Sequence, residues 1–209
     1  MRTFVAAAIA GAALAGVAGA APPVTMTLVA SAPSVAYGGP VTLSGQISTK
    51  QANQQIVIRA TECGSTKQVK AATVKTGANG TFSTPVKPTL GTSYMATFKN
   101  GMSPVVALTV RPVLQLTRVA RGSFTANVTA GQALTGKYVL FQRYKKLTKR
   151  WAQVKRLALT TSVAGTKPTV VTSVSFKSKL RAGTRVRVMI SKIQAGPCYL
   201  QATSKSIRA

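Results

Sequence analysis

Histidine is absent from this 209-residue chain, and Glu62 is its only acidic residue. General acid–base catalysis draws on histidine or carboxylates, and metal sites draw on histidine, cysteine, aspartate or glutamate. One glutamate and two widely separated cysteines, Cys63 and Cys198, make no constellation for either chemistry. A serine–lysine pair would escape that census, but no local motif supports one. The expectation is a protein that is not an enzyme, with no catalytic residue, metal ligand, cofactor or small-molecule substrate.

Long apolar runs are equally scarce. The one candidate is MRTFVAAAIAGAALAGVAGA, with Arg2, an apolar stretch and then Ala18-Gly19-Ala20. This is the layout of a secretory signal peptide over residues 1–20, cleaved between Ala20 and Ala21. An uncleaved anchor is the weaker reading, because the stretch falls short of the ~20 residues that a spanning helix needs. No later segment is apolar enough to span a bilayer. The expected mature protein has no transmembrane segment and is secreted or held at the cell envelope.

Positive charge, by contrast, is abundant. The chain carries 28 Lys plus Arg, for a formal charge of +27. Residues 112–209 hold 19 of these and no acid, whereas residues 21–110 hold seven together with Glu62. Such an unrelieved field attracts polyanions by steering and counterion release. The alternative is that the charges are simply solvated.

The remaining pattern has period two. Short alternating segments fall at 24–30, 40–48, 54–62, 68–75, 81–86, 93–99 and 105–110, the spacing of an all-β sandwich. Val41, Leu43 and Ile47 share one face; so do Tyr94, Ala96 and Phe98. Asn79-Gly80 and Asn100-Gly101 supply hairpin turns. A second set occupies 112–118, 123–130, 137–144, 150–159, 169–178, 184–191 and 199–207. In it Val186, Val188 and Ile190 alternate with Arg185, Arg187 and Met189, giving one apolar and one basic face. Arg111-Pro112 marks the boundary. The fold expected is two tandem sandwiches, residues 21–111 and 112–209, set end to end with no helix after the signal peptide.

PSVAYGGPVTLSGQI and GTSYMATF resemble the bacterial immunoglobulin-like repeats of secreted and surface proteins. GKYVLFQRYKKLTKRW and AGPCYLQATSKSIRA resemble the second half of two-sandwich exported proteins of actinobacterial type. Such repeats serve as spacers, adhesin stalks or carbohydrate-binding accessory modules, so the resemblance implies a fold but no particular activity.

Gly38-Gly39 could suggest a phosphate loop, which requires a helix amino terminus aimed at the anion. Pro40 instead leads into the strand pattern VTLSGQI, so a turn into a strand is expected. The cysteines are even in number in an exported chain, which favours an oxidised pair. Successive sandwich strands alternate in direction. Cys63, after the third strand of the first sandwich, and Cys198, before the last strand of the second, therefore both face the junction. A Cys63–Cys198 disulfide is expected; two free or intermolecular thiols are the alternative.

The same reasoning gathers Arg121, the hairpin residues Arg143, Lys145, Lys146, Lys149 and Arg150, and Lys179, Arg181 and Arg185 at the far end of the second sandwich. Tyr144 and Trp151 flank the hairpin, with Trp151 expected in the core rather than in a stacking role. The functional expectation is a binding or structural module that attaches electrostatically to an anionic polymer. Wall teichoic acid, acidic polysaccharide, an anionic lipid surface and extracellular DNA all qualify. The alternative is a spacer or adhesin-type module that recognises a protein partner through a sheet face or edge.

Overall fold

The computed structural model describes residues 23–209, so the expected signal peptide lies outside the described residues. The described chain is all-β apart from one 3-10 turn and one four-residue helix. Its sheets are open, and they fall into two pairs along the chain.

The amino-terminal half contains β1 (Val29–Ala30), β2 (Ser34–Ala36), β3 (Val41–Gln46), β4 (Gln55–Glu62), β5 (Gln68–Lys75), β6 (Thr81–Val86), β7 (Thr92–Phe98), β8 (Gly101–Met102) and β9 (Val106–Arg111). One sheet has the order β1-β3-β6 and the other β2-β9-β7-β4-β5, with β8 added to β7. Burial enforces the alternation: in β7 Thr92, Tyr94, Ala96 and Phe98 are all buried while the residues between them are not. These inward faces meet Leu43, Ile47, Ile56 and Ile58, each fully buried, in one apolar cluster.

The carboxy-terminal half contains β10 (Val113–Ala120), β11 (Ser123–Ala130), β12 (Tyr138–Lys145), β13 (Arg150–Ala158), β14 (Thr161–Ala164), β15 (Val170–Lys177), β16 (Arg185–Ile190), α1 (Lys192–Ala195), β17 (Ala202–Thr203) and β18 (Ile207–Arg208). Its sheets run β10-β11-β15-β14 and β13-β12-β16-β17, with β18 also on β16. The cluster between them is built around Phe124, Phe141 and Phe176, whose rings lie 4.9–5.6 Å apart.

Several sequence expectations need correction. The expected strand at 24–30 runs beside β3 but is regular only at Val29–Ala30, with an isolated bridge from Met26 to Ile47 before it; Ser34–Ala36, outside the expected set, pairs in parallel with β9. Asn79-Gly80 does not close a hairpin. β5 pairs with β4 and β6 with β3, so this turn carries the chain from one sheet to the other, using φ of 57° at Asn79 and 70° at Gly80. Strand β14 was not foreseen. Nor was α1, whose Ser191 N-cap and Gly196 C-cap flank too few residues to show a helical period.

The expected last strand at 199–207 is broken, and the break repeats one in the first half. Buried Ser103 and Ser204 each interrupt the final strand of their half. Each hydroxyl accepts from the neighbouring strand, from the Ala96 amide at 2.9 Å and the Val188 amide at 3.0 Å. Each also donates to the next residue's carbonyl, at 2.9 Å in both cases. Three residues later, at Val106 and Ile207, the strand resumes. A serine side chain thus satisfies the buried donor that a bulge would otherwise orphan.

The halves are joined tightly. Only Pro112 separates β9 from β10. Cys63 and Cys198 form a disulfide with an α-carbon separation of 5.4 Å, closing a span of 135 residues. Around it the Gly91 amide donates to the Cys198 carbonyl (2.9 Å) and the Leu200 amide to the Val110 carbonyl (2.8 Å). Tyr199 is buried; its hydroxyl donates to the Thr89 carbonyl (3.0 Å) and accepts from the Gly131 amide (2.8 Å). Val110 packs in the carboxy-terminal cluster, which Val35, Tyr37 and Leu90 of the first half also touch.

The Gly38-Gly39 turn belongs to this junction. Gly38 takes φ of 79°, and a Cβ on Gly39 would come within 2.7 Å of the Val35 side chain. The turn holds Tyr37 where its hydroxyl meets the Thr169 hydroxyl at 3.0 Å, across the boundary. Its glycines serve geometry, not an anion.

Candidate anion-docking surface

Three connections meet at the end of the carboxy-terminal half that lies away from the disulfide. The β10–β11 turn relies on Gly122 (φ 72°), the β12–β13 hairpin on Lys149 (φ 49°) and the β15–β16 loop on Gly183 (φ 80°). A bond from the Ser178 amide to the Gly122 carbonyl, 2.8 Å, ties the first to the third. Within the third, Thr184 donates its hydroxyl to the Arg181 carbonyl at 2.7 Å, which fixes the loop's shape.

The expected site residues fall into this geometry unevenly. Lys146, Arg181 and Arg185 line one cleft of about 530 Å³ together with Tyr144 and Arg208. Arg121 and Arg181 line a second, of about 280 Å³, with Arg118. Lys145 and Arg150 are direct cross-strand partners, and both are exposed. Like charges directly opposite destabilise a ladder, and no acid relieves this pair. Arg143, Lys149 and Lys179 are also exposed, but they line neither cleft.

Trp151 departs from expectation. It is half-buried and lies outside the buried cluster. The core position in this sheet is taken by Phe141, and a bulge between Phe141 and Gln142 sets Tyr144 opposite Trp151 on the outer face. Their rings are 5.3 Å apart. Two arginines of β16 lie over them: Arg185 at 5.2 Å from the Tyr144 ring and Arg187 at 4.2 Å from the Trp151 ring. Both distances are within cation–π range. The Arg187 Nε donates to the Gln142 side-chain oxygen at 2.9 Å, and desolvation lowers the guanidinium below the ordinary arginine value.

Arg187 and Arg208 join the surface without having been singled out as site residues; Arg118 joins it from the β10–β11 turn, beside Arg121, as strand direction predicts. The alternation in β16 had already placed Arg187 beside Arg185 on the basic face. Arg208 enters only through the β18–β16 pairing, where it stands opposite Arg185. Among the described residues no group of three or more His, Cys, Asp or Glu could hold a metal ion, and no helix is long and apolar enough to cross a membrane. What the surface offers is fixed positive charge with two amphipathic rings.

No family model matches the chain, and no curated protein matches it. Among solved structures it is similar to the crystal structure of bovine butyrophilin, at 12% identity and a TM-score of 0.36 over 90% of this chain and 100% of that one.

Proposed function

We propose that the chain is an exported, non-catalytic module of two immunoglobulin-like sandwiches, residues 21–111 and 112–209. It attaches to anionic envelope polymers through the cationic end of its second sandwich. The observation that carries this reading is the convergence of three basic loops on two clefts with no acidic side chain among their lining residues. Glu62, the only acid in the chain, ends β4 beside the disulfide. That is a full strand length from the loops, about 25 Å at 3.3 Å per residue. The mechanism is docking of phosphate, sulfate or carboxylate groups against fixed guanidinium and ammonium groups, with counterion release.

Retention on immobilised heparin should fall steeply with salt. Reversing Lys145, Lys146, Lys149 and Arg150 to Glu should remove most of it; roughly 0.7–0.9 of salt slope disappears with each lost contact. Unchanged retention would rule the surface out.

A second reading, a spacer or adhesin module gripping a protein, has one observation behind it. A groove of about 830 Å³ runs along the junction between β10 and the 200–205 segment, lined in part by Leu114, Met189, Leu200 and Ala202. A specific protein recovered without polyanion binding would favour it.

A further inference from the structure

Leu147 stands at the apex of the β12–β13 hairpin and is fully exposed, at 101%. Its neighbours are Lys145, Lys146, Lys149 and Arg150. A lone exposed leucine is ordinary on a protein surface. This one is accompanied. Val119, 69% exposed, lies on the other sheet at the same end of the half, between Arg118 and Arg121. Behind the apex, Tyr144 and Trp151 form the outer-face pair, half-buried, with rings 5.3 Å apart and tilted by 58°.

We propose that the hairpin is a membrane-surface docking device, with Leu147 entering the headgroup–acyl boundary of an anionic bilayer while the surrounding lysines and arginines hold its headgroups. This rests on the anionic-attachment reading and selects one source of anion. A soluble polymer would engage the cations but leave Leu147 in water. An anionic bilayer uses both, burying the apolar apex and attracting each nearby cation, an effect worth about fivefold in partitioning per Lys or Arg.

The geometry suits that depth. The ladder pairs Tyr144 with Trp151 and Lys145 with Arg150, and the Lys149 amide donates to the Lys146 carbonyl at 3.3 Å, so Leu147 is held outward by a closed turn. From Leu147 back to the aromatic pair is three or four residues, about 10 Å at strand rise. Interfacial elements bury their apolar side by about 5–10 Å, and tyrosine and tryptophan favour the headgroup level. The cations between apex and rings can reach outward along their aliphatic stems to the phosphates.

The test is co-sedimentation of the full mature chain with vesicles of phosphatidylglycerol and phosphatidylcholine in equal parts, and with phosphatidylcholine alone. Heparin retention is measured in parallel on the same samples. The expected result is binding to the anionic vesicles only, reduced about ten- to a hundredfold by Leu147→Ser. Heparin retention should be unchanged by that substitution. As a positional readout, Leu147→Trp combined with Trp151→Phe should give tryptophan emission quenched by brominated lipid. Wild-type-like vesicle binding by Leu147→Ser, or heparin binding with no vesicle binding, would overturn the docking device and leave anionic attachment standing. Loss of both activities in the wild-type chain would overturn both. Because Leu147 touches nothing buried, the variant should keep the wild-type melting temperature.

Discussion

The two ends of the carboxy-terminal half are built from the same strands yet solve opposite problems. At the junction end the central groups are covered: Tyr199 is 1% exposed with both hydroxyl functions bonded, Val110 is fully buried, and a disulfide closes the seam. At the far end the chain exposes like charges in register, a left-handed Lys149 and an uncovered leucine. The opposed like charges and the left-handed lysine cost stability locally; the arginine–aromatic contacts of β16 and the Ser178–Gly122 bond are what hold that end. The contrast shows where the stability comes from and where it is given up.

If that division is right, cutting the junction should cost most. Replacing Cys63 and Cys198 together with Ser should lower unfolding stability by roughly 2–5 kcal/mol, read from the denaturant midpoint. It should leave heparin retention nearly intact. A smaller loss is expected from Tyr199→Phe, about 1–3 kcal/mol, because the Thr89 carbonyl and the Gly131 amide lose their buried partner.

Tyr199 also sharpens the comparison through pH. Burial first, against the opposing hydrogen bond from Gly131, pushes its hydroxyl up to about 12 from 10.0. The folded state therefore holds this proton more tightly than the unfolded chain, so its contribution is complete below about pH 10 and is lost as pH rises toward 12. Tyr199→Phe should flatten the alkaline loss of stability over that window; an unchanged slope would remove Tyr199 as its source. The smallest effect is expected at the far end. Trp151→Ala should cost no more than about 1–2 kcal/mol, since it removes outer-face cation–π contacts with Arg187 and Arg185 and leaves no core cavity. A loss of roughly 3 kcal/mol or more, the range of a buried tryptophan, would mean that Trp151 is core after all.

Much of the fold was legible because burial enforces alternation. β7, β11 and β16 bury every second residue, and period two reads directly from their sequences. The disulfide was legible for a related reason: strand direction alone decides which end a cysteine faces, and only two cysteines were available. Trp151 was not. A tryptophan buried on the third strand is a hallmark of immunoglobulin domains. Residue 151 instead falls on β13, an edge strand, and its face depends on a bulge in the β12–β13 ladder that no local pattern marks. The serine breaks at Ser103 and Ser204 were hidden similarly, because a side chain that replaces a ladder bond leaves the hydropathy pattern unchanged. At the far end, the three basic loops could be gathered by strand direction. Their partition into two clefts, and Arg208's place in one of them, depend on pairings that only the folded chain supplies.

In the proposed reading, position rather than total charge makes the far end a docking surface. The direct test compares two variants of equal net charge by the salt dependence of heparin affinity. One reverses Lys145, Lys146, Lys149 and Arg150 to Glu; the other reverses Lys67, Lys70, Lys75 and Lys87, exposed lysines of the amino-terminal half. The first variant should lose about three units of salt slope and most of its affinity, while the second stays close to wild type. Equal losses in both would contradict this, leaving net charge alone as the cause.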